Sequence, residues 1–204
     1  MIGARSGRPS LARKTRPVHH PPPPDSMPTL ETKRLTLVAA TAELVRADLE
    51  ARGRLSELLG ADVHPVWPPP LNDDASKKWV IEYLEAHPEV RGFGMWYILL
   101  RRHGSRPLVI GNGGFKGAPT PDGTVEIGYS IVEEHQRQGF APEAVERLVA
   151  WAFGHPEVAR VTAHTLPDGI PSQRVLEKCG FRFLGAGTEE GAVLFERRRG
   201  PDGR

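Results

Sequence analysis

The sequence predicts one α/β (α+β) domain in which helices flank a mostly antiparallel sheet. A chain of 204 residues is long enough for a single domain with a substantial core. Strand-like and helical segments follow one another along most of it. Three consecutive strand-like segments are joined by short turns that contain Gly or Pro, which favours antiparallel neighbours.

In the first half of the domain, alternating polarity predicts a strand and apolar residues at helical spacing predict helices. The elements are a strand over 32–40, a helix over 42–59 with a break at Gly53, and a helix over 74–86. Thr41 precedes the first helix and Asn72 or Asp73 the second, and these residue types cap helix N-termini. The proline-rich residues 61–71 are expected to form a loop.

The second half supplies most of the predicted sheet. Its elements are strands over 94–101, 107–117, 124–132 and 159–166, helices over 140–153 and 171–179, and a hairpin with strands over 181–187 and 191–198. Pro171 at the first position of the second helix and Gly180 just past its end fit the residue preferences of helix termini. The predicted order is therefore β-α-α-β-β-β-α-β-α-β-β.

Composition limits the class of protein. The sequence is 39% hydrophobic and 25% charged, as in globular domains, and lacks the run of ~18 apolar residues that a membrane span requires. Cys179 is the single cysteine, which excludes an internal disulfide and a cysteine-rich zinc site. We predict a cytoplasmic protein that does not bind membranes.

The two ends of the chain differ from the domain. Residues 1–27 are predicted to be a disordered Pro/Arg-rich tail, residues 28–198 the domain, and residues 199–204 a flexible C-terminal tail. Five of the 27 basic residues and one of the 25 acidic residues lie in residues 1–26. The basic excess is on the tail and not on a face of the fold, so we predict no nucleic-acid partner.

Residues 136–141, QRQGFA, join a strand to the strongly amphipathic helix 140–153. The first turn of a helix has backbone N–H groups without intrahelical partners and carries the positive end of the helix dipole. Gly139 and the small Ala141 let a ligand approach this backbone closely. A pyrophosphate would fit such a loop, although a plain glycine-containing turn would show the same pattern.

QRQGFA resembles the Q/R-x-x-G-x-G/A pattern of the GNAT superfamily of acyl-CoA-dependent N-acetyltransferases. VEIGYSI resembles the fourth strand of that family, EAVERLVAWAF the following helix, and SQRVLEKCGFRFLG its later helix and strand. LETKRLTL is similar to the opening strand of the branch that contains the ribosomal-protein alanine and serine N-terminal acetyltransferases (RimJ/RimL-like). The resemblance runs from about 29 to 197 and implies a GNAT fold, splayed between the fourth and fifth strands.

The resemblance implies that acetyl-CoA binds in this opening and that an amine acceptor enters from the opposite side. The residues it implies for acetyl-CoA lie at the end of the fourth strand and in the loop after it: Ser130, Ile131, Val132, Gln136, Arg137, Gln138, Gly139, Phe140 and Ala141. The first three would pair with the pantetheine arm through main-chain groups. The amides of residues 137–141 would hold the pyrophosphate, and the Gln136 side chain would shape the loop.

The resemblance also implies two catalytic residues. Glu126 is expected to be the base that deprotonates the acceptor ammonium, and Ser172 to face the leaving thiolate. Many relatives have an asparagine where this chain has Gly169 and a tyrosine near the position of Leu176, so the usual tyrosine acid is missing. Tyr129 competes with Ser172 for this role.

The acceptor site is the least defined part of the prediction. Trp67, beside three prolines, and Trp96 are expected to form its wall, and His164 lies on the fifth strand where it could line the opening. We predict no metal, and a monomer or homodimer. The predicted function is transfer of acetyl from acetyl-CoA to a primary amine, of a protein N-terminus or a small molecule. The alternative is a catalytically silent acyl-CoA-binding sensor or interaction module.

Overall fold

The structure is a computed structural model that describes residues 28–70, 72–88, 90 and 92–200. The tail predicted over 1–27 lies outside the described residues, as does most of the predicted C-terminal tail. The strands are β1 Thr29–Glu31, β2 Leu35–Ala39, β3 Asp62–Val63, β4 Met95–Leu100, β5 Leu108–Phe115, β6 Thr124–Ile131, β7 Arg160–Thr165, β8 Arg182–Ala186 and β9 Val193–Arg198. The helices are α1 Ala42–Glu50, α2 Arg52–Leu59, α3 Asp74–Ala86, α4 Phe140–Ala152 and α5 Ile170–Lys178, with a 3-10 turn at Glu133–His135.

The nine strands form one sheet in the order β1-β2-β4-β5-β6-β7-β9-β8, and β3 pairs with β5. Within the described residues, only the β3–β5 and β6–β7 pairs are parallel. The predicted architecture, a mostly antiparallel sheet between helices, is confirmed.

Three details of the first half differ from the prediction. The predicted opening strand is two strands, because the Thr32 hydroxyl accepts the Leu35 N–H at 2.8 Å and fixes a turn between β1 and β2. The predicted long helix breaks at Ala51, whose backbone is extended, and not at Gly53, which lies inside α2. The two-residue strand β3 was not predicted, because so short a segment has no periodicity.

The sheet opens between β6 and β7, the fourth and fifth strands of the prediction. Their register pairs Thr124 with Arg160 and Glu126 with Thr162. Beyond Glu126 the described part of β6 has no partner in β7, although β7 continues to pair with β9. We call this opening the slot, and it confirms the predicted splay.

The two faces of the sheet carry different helices. Phe115 of β5 lies with its ring centroid 5.7 Å from that of Trp151, on α4, and this side is here called the α4 face. The opposite side of the sheet is here called the α1 face. There the Tyr97 hydroxyl donates to Asp48 of α1 at 3.2 Å. Ile127 is the register partner of Phe115 and shares the α4 face. Since neighbours along a strand alternate, Glu126 lies on the α1 face.

Arg199, which the prediction places in the C-terminal tail, contacts the domain. The Arg199 backbone N–H donates to the Ala159 carbonyl at 2.9 Å, and its guanidinium donates to the Val158 carbonyl. These contacts hold the end of β9 against the segment that enters β7.

Candidate active site

The loop between β6 and α4 contains left-handed residues, as anion-binding nests do. Arg137 has a φ of 59° and Gly139 a φ of 81°, so two residues of this short loop are left-handed. A left-handed non-glycine residue costs roughly 1–2 kcal/mol, and such strain is concentrated at functional sites. Alternation with left-handed residues turns successive N–H groups toward one point, where they form an anion-binding concavity.

The N-terminus of α4 has no side-chain cap among the described residues. Its N-cap is Gly139, which has no side chain to accept an N–H, and no side-chain cap hydrogen bond is formed. The N–H groups of the first turn are therefore left to another acceptor, and an anion would also benefit from the helix dipole.

Arg34 fixes this loop from the neighbouring β1–β2 turn. Its Nη1 donates to the Gln138 carbonyl at 2.9 Å, and its guanidinium carbon lies 4.3 Å from the Phe140 ring centroid. Its Nε donates to Glu143 Oε2 at 2.7 Å, and the Thr32 hydroxyl donates to Glu143 Oε1 at 2.6 Å. Burial alone would raise the pKa of Glu143, but these hydrogen bonds outweigh it and lower the pKa. The loop is thus held in shape before any ligand arrives.

Among the described residues, no strand pairs with the edge that the end of β6 presents to the slot. Ser130 pairs with Asn112 and Ile131 with Gly111 on the β5 side, and the Val132 N–H donates to the Ile110 carbonyl at 2.9 Å. The Gln136 side chain donates to the Ile131 carbonyl at 2.9 Å, which joins the loop to the strand end. The predicted pantetheine residues and the predicted pyrophosphate loop therefore lie in one continuous run along the slot.

Glu126 lies at the closed end of the slot, in the last register pair before the strands separate. Its side chain is 22% exposed, and its Oε1 is 2.6 Å from Lys116 Nζ and 3.0 Å from His164 Nδ1. Lys116 also donates to Glu189 Oε1 at 2.7 Å. The predicted base is thus at the centre of a charged cluster.

Sequence reasoning missed Lys116 and Glu189. The Lys116 N–H donates to the Glu126 carbonyl, so these residues are neighbours across the β5–β6 hairpin. An exact hairpin register would have revealed Lys116. Glu189 is on the β8–β9 loop, whose path carries no periodic signal.

Ser172, in the first turn of α5, contacts the competing candidate Tyr129. The two hydroxyl oxygens are 3.0 Å apart, and the Tyr129 hydroxyl also lies 3.1 Å from the Ser172 carbonyl, to which it can donate. Burial raises the pKa of Tyr129 to about 12, despite the opposing effect of this hydrogen bond. Tyr129 therefore stays protonated near neutral pH, and the two hydroxyls form one unit on the α4 face.

The two departures from the family pattern have structural explanations. Leu176 is fully buried in the core. A Cβ at Gly169 would lie 2.8 Å from the Thr165 hydroxyl oxygen and 3.0 Å from the Leu166 carbonyl, so an asparagine would require a shift of this turn.

Trp67 and Trp96 do not form an exposed wall. Trp67 is 2% exposed and Trp96 fully buried. The Trp67 indole donates to the buried Asp48 at 2.6 Å, and the Trp96 indole donates to the Gly92 carbonyl at 2.7 Å. Both rings pack in the core, on opposite faces of the sheet, so we assign neither a direct acceptor contact.

Two further groups have distinct chemistry. Burial raises the pKa of Cys179 to about 11, so this buried thiol is not a nucleophile at neutral pH. Among the described residues, one group could hold a metal ion: Glu126, His164 and Glu189, whose ligand atoms lie within 4.8 Å of one another. The Lys116 ammonium already contacts both carboxylates.

Comparison with known proteins identifies the family. Residues 34–182 match the family described as Acetyltransferase (GNAT) domain. The chain belongs to the GNAT acetyltransferase family. The uncharacterized N-acetyltransferase YjdG of Bacillus subtilis (strain 168) is 32% identical over 157 residues, which cover 76% of this chain and 90% of YjdG.

Solved structures of GNAT acetyltransferases share the fold at low sequence identity. The ribosomal-protein-S5-alanine acetyltransferase from Vibrio fischeri superposes with a TM-score of 0.57 at 18% identity, covering 83% of this chain and 96% of that one. RimL, a ribosomal L7/L12 alpha-N-protein acetyltransferase solved in complex with coenzyme A, gives a TM-score of 0.58 at 19% identity and covers 84% and 98% of the two chains. The predicted branch resemblance is thereby supported at the level of fold. No helix within the described residues is long and apolar enough to cross a bilayer.

Proposed function

We propose that this GNAT acetyltransferase transfers an acetyl group directly from acetyl-CoA to a primary amine, either a protein N-terminus or a small molecule. The observation that carries the proposal is the unpaired β6 edge, which runs from the loop before α4 to the Glu126 carboxylate. The loop end of this edge can bind a pyrophosphate, and the Glu126 end can accept a proton from an amine.

Main-chain groups bind the acetyl-CoA donor, and side chains hold those main-chain groups in place. The amides of residues 137–141, with Gln138 and Phe140 held by Arg34, bind the pyrophosphate. The pantetheine arm pairs with the slot-facing edge of β6 at Ile131, much as a strand pairs with an open sheet edge. Val132 does not contribute as predicted, because its N–H donates to the Ile110 carbonyl and its carbonyl accepts the His135 N–H. Binding along this edge brings the thioester to the closed end of the slot.

Glu126 acts as the base. An alkyl ammonium, with a pKa near ~10, has no lone pair until it loses a proton. Glu126 accepts that proton, directly or through water, and the amine nitrogen then attacks the thioester carbonyl carbon. A backbone N–H near the strand separation stabilises the oxyanion that forms.

The Ser172–Tyr129 unit serves the leaving group. When the C–S bond breaks, the nitrogen of the tetrahedral intermediate releases its second proton to water. Ser172 donates a proton to the thiolate and is reprotonated by Tyr129, 3.0 Å away, which recovers its own proton from water. Glu126 and this unit lie on opposite faces of the sheet, so proton removal and proton delivery are separated by the slot.

The direct test is acetyl transfer to a panel of peptides with free N-termini and of small primary amines, followed by thiol release and product mass. Glu126→Gln should lower kcat/KM for the amine on the order of 10²-fold, the lower end of the range for general base catalysis, and leave acetyl-CoA affinity unchanged. Glu57→Gln, an exposed change on α2, is the matched control.

The buried Leu176 at the position of the usual tyrosine acid keeps the silent sensor as the second candidate. Tight acetyl-CoA binding without turnover of any amine in the panel would favour that sensor over the enzyme.

A further inference from the structure

A cluster of charged side chains on the α1 face holds a cation supplied by the chain itself. The Nζ atom of Lys116 lies 2.6 Å from Glu126 Oε1 and 2.7 Å from Glu189 Oε1. Burial would lower the pKa of Lys116, but its hydrogen bonds to the two carboxylates outweigh burial and raise it. These contacts favour a protonated amine between Glu126 and Glu189.

His164 gives independent evidence that this point is built for a ligand. Its side chain is 8% exposed, and its Nδ1 is 3.0 Å from Glu126 Oε1. This Nδ1 atom has no hydrogen bond of acceptable geometry among the described residues, although it is buried. The Nε2 atom lies 3.3 Å from the Thr188 backbone N–H, which holds the ring in place. Buried polar atoms without hydrogen bonds are rare, so a missing partner is expected here.

Lys116 is free to leave the cluster. Its side chain is 52% exposed, and that of Glu189 is 54% exposed, so the ammonium can move into solvent without unfolding any element. Departure would leave two carboxylates facing each other, and another monovalent cation would restore the charge balance.

We propose that the ammonium group of the acceptor binds between Glu126 and Glu189 beside His164, in the place now taken by the Lys116 ammonium. This inference rests on the proposed function and adds to it the recognition of the acceptor. Lys116 is then an internal competitor that determines how tightly an amine must bind. The bound ammonium already touches the carboxylate that removes its proton.

The charge pattern defines the substrate class. A primary ammonium has three N–H donors on a compact head, the same group that Lys116 presents. Its alkyl chain must leave through the exposed side of the cluster, where Lys116 and Glu189 lie. We expect acceptors with an unhindered primary ammonium and no negative charge next to it.

The test uses n-butylammonium as the probe and compares wild type with Lys116→Met and Glu189→Gln. If Lys116 fills the site about nine-tenths of the time, its removal should lower the KM for n-butylammonium about tenfold. Glu189→Gln should raise that KM and keep kcat. Lys178→Met, an exposed change at the end of α5, should alter neither constant. Unchanged KM values in both test variants, with wild-type turnover intact, would overturn the inference.

A binding measurement separates this inference from the proposed function. In protein saturated with CoA, n-butylammonium should shift the imidazole proton resonance of His164, which is identified by its loss in His164→Gln. If the Kd from this titration is lower in Lys116→Met than in wild type but no acetyl transfer occurs, the proposed function is contradicted and the ammonium site is supported. No shift in either protein, or stoichiometric zinc bound by Glu126, His164 and Glu189, would contradict the ammonium site.

Discussion

At the scale of single residues, the structure shows contacts between candidate residues that the sequence could identify only one at a time. Ser172 and Tyr129 were alternatives for one role, and a 3.0 Å contact between their hydroxyl oxygens makes them partners. The contact joins residues 43 positions apart, on β6 and α5, so no local pattern could reveal it. Glu126 was predicted from resemblance, whereas its contact with His164 follows only from the register of β6 and β7.

The hydroxyl pair predicts non-additive mutational effects. Ser172→Ala should lower kcat about tenfold, because a thiolate with a pKa near ~8.5 needs little help to leave. Tyr129→Phe should lower it less, and the double variant should match Ser172→Ala, since residues in one hydrogen-bonded unit do not act independently. Steady-state kinetics at saturating acetyl-CoA measures all three. Effects that multiply would show that the hydroxyls act separately.

At the scale of elements, the junction of β6 and α4 explains why a short motif identifies the family. Gly139 is required at a left-handed position, and the loop is tied to the β1–β2 turn through Arg34. The motif was visible in the sequence, and its support by Arg34 and Glu143 was not. Those partners lie 109 residues apart along the chain.

The loop backbone should control cofactor affinity. Gly139→Val places a branched side chain at a φ of 81°, with its Cβ 3.3 Å from Arg34 Nη2, and a left-handed valine is strained by roughly 1–2 kcal/mol. We expect the Kd for CoA to rise on the order of tenfold, as titration calorimetry would show. Gly53→Ala is the control, because no atom lies within 4 Å of its added Cβ. That helix variant should keep CoA affinity and gain about 0.5–1 kcal/mol of stability.

The Glu143 carboxylate should make this junction sensitive to acid. Its folded pKa is lowered from the ordinary 4.5, so its contribution to stability is present above that pH and is lost as pH falls through the folded pKa. Glu143→Gln should therefore reduce the free energy of unfolding at pH 7 by roughly 1–2 kcal/mol, a range discounted because Arg34 is partly exposed. Urea titrations should show wild type and variant converging as the pH falls below 4.5 and through the folded pKa. A difference that persisted in acid would indicate a packing effect and not a charge effect.

At the scale of the whole molecule, periodicity predicted the order of the main elements, and the short turns between strands predicted the mostly antiparallel sheet. It failed where tertiary contacts decide the outcome. The break at Ala51 is one case, and the burial of Trp67 against Asp48 is another. Lys77 of α3 also lies 3.1 Å from Asp48, so this buried carboxylate ties the proline-rich loop and two helices together. The sequence around Trp67, an aromatic residue beside prolines, did not indicate whether the ring would be exposed or buried.

The slot is also a property of the whole molecule. It requires β6 and β7 to pair as far as Glu126 and then to separate. Beyond that point β6 stays paired with β5, and β7 stays paired with β9. Sequence alone indicated this opening through family resemblance, because strand separation has no signature in composition or spacing. The opening places the Glu126 carboxylate on one face of the sheet and the Ser172–Tyr129 hydroxyl pair on the other.

The most direct measurement of the central claim is the thermal stability of the full chain with acetyl-CoA, CoA, ATP and NAD in parallel. A ligand at 100 times its Kd stabilises a protein by about 2.7 kcal/mol. We predict a clear rise in Tm with acetyl-CoA and CoA, none with NAD, and at most a small rise with ATP, which has the phosphates but lacks the pantetheine arm. An equal response to all four, or no response to acetyl-CoA, would contradict the assignment of the slot as an acetyl-CoA site.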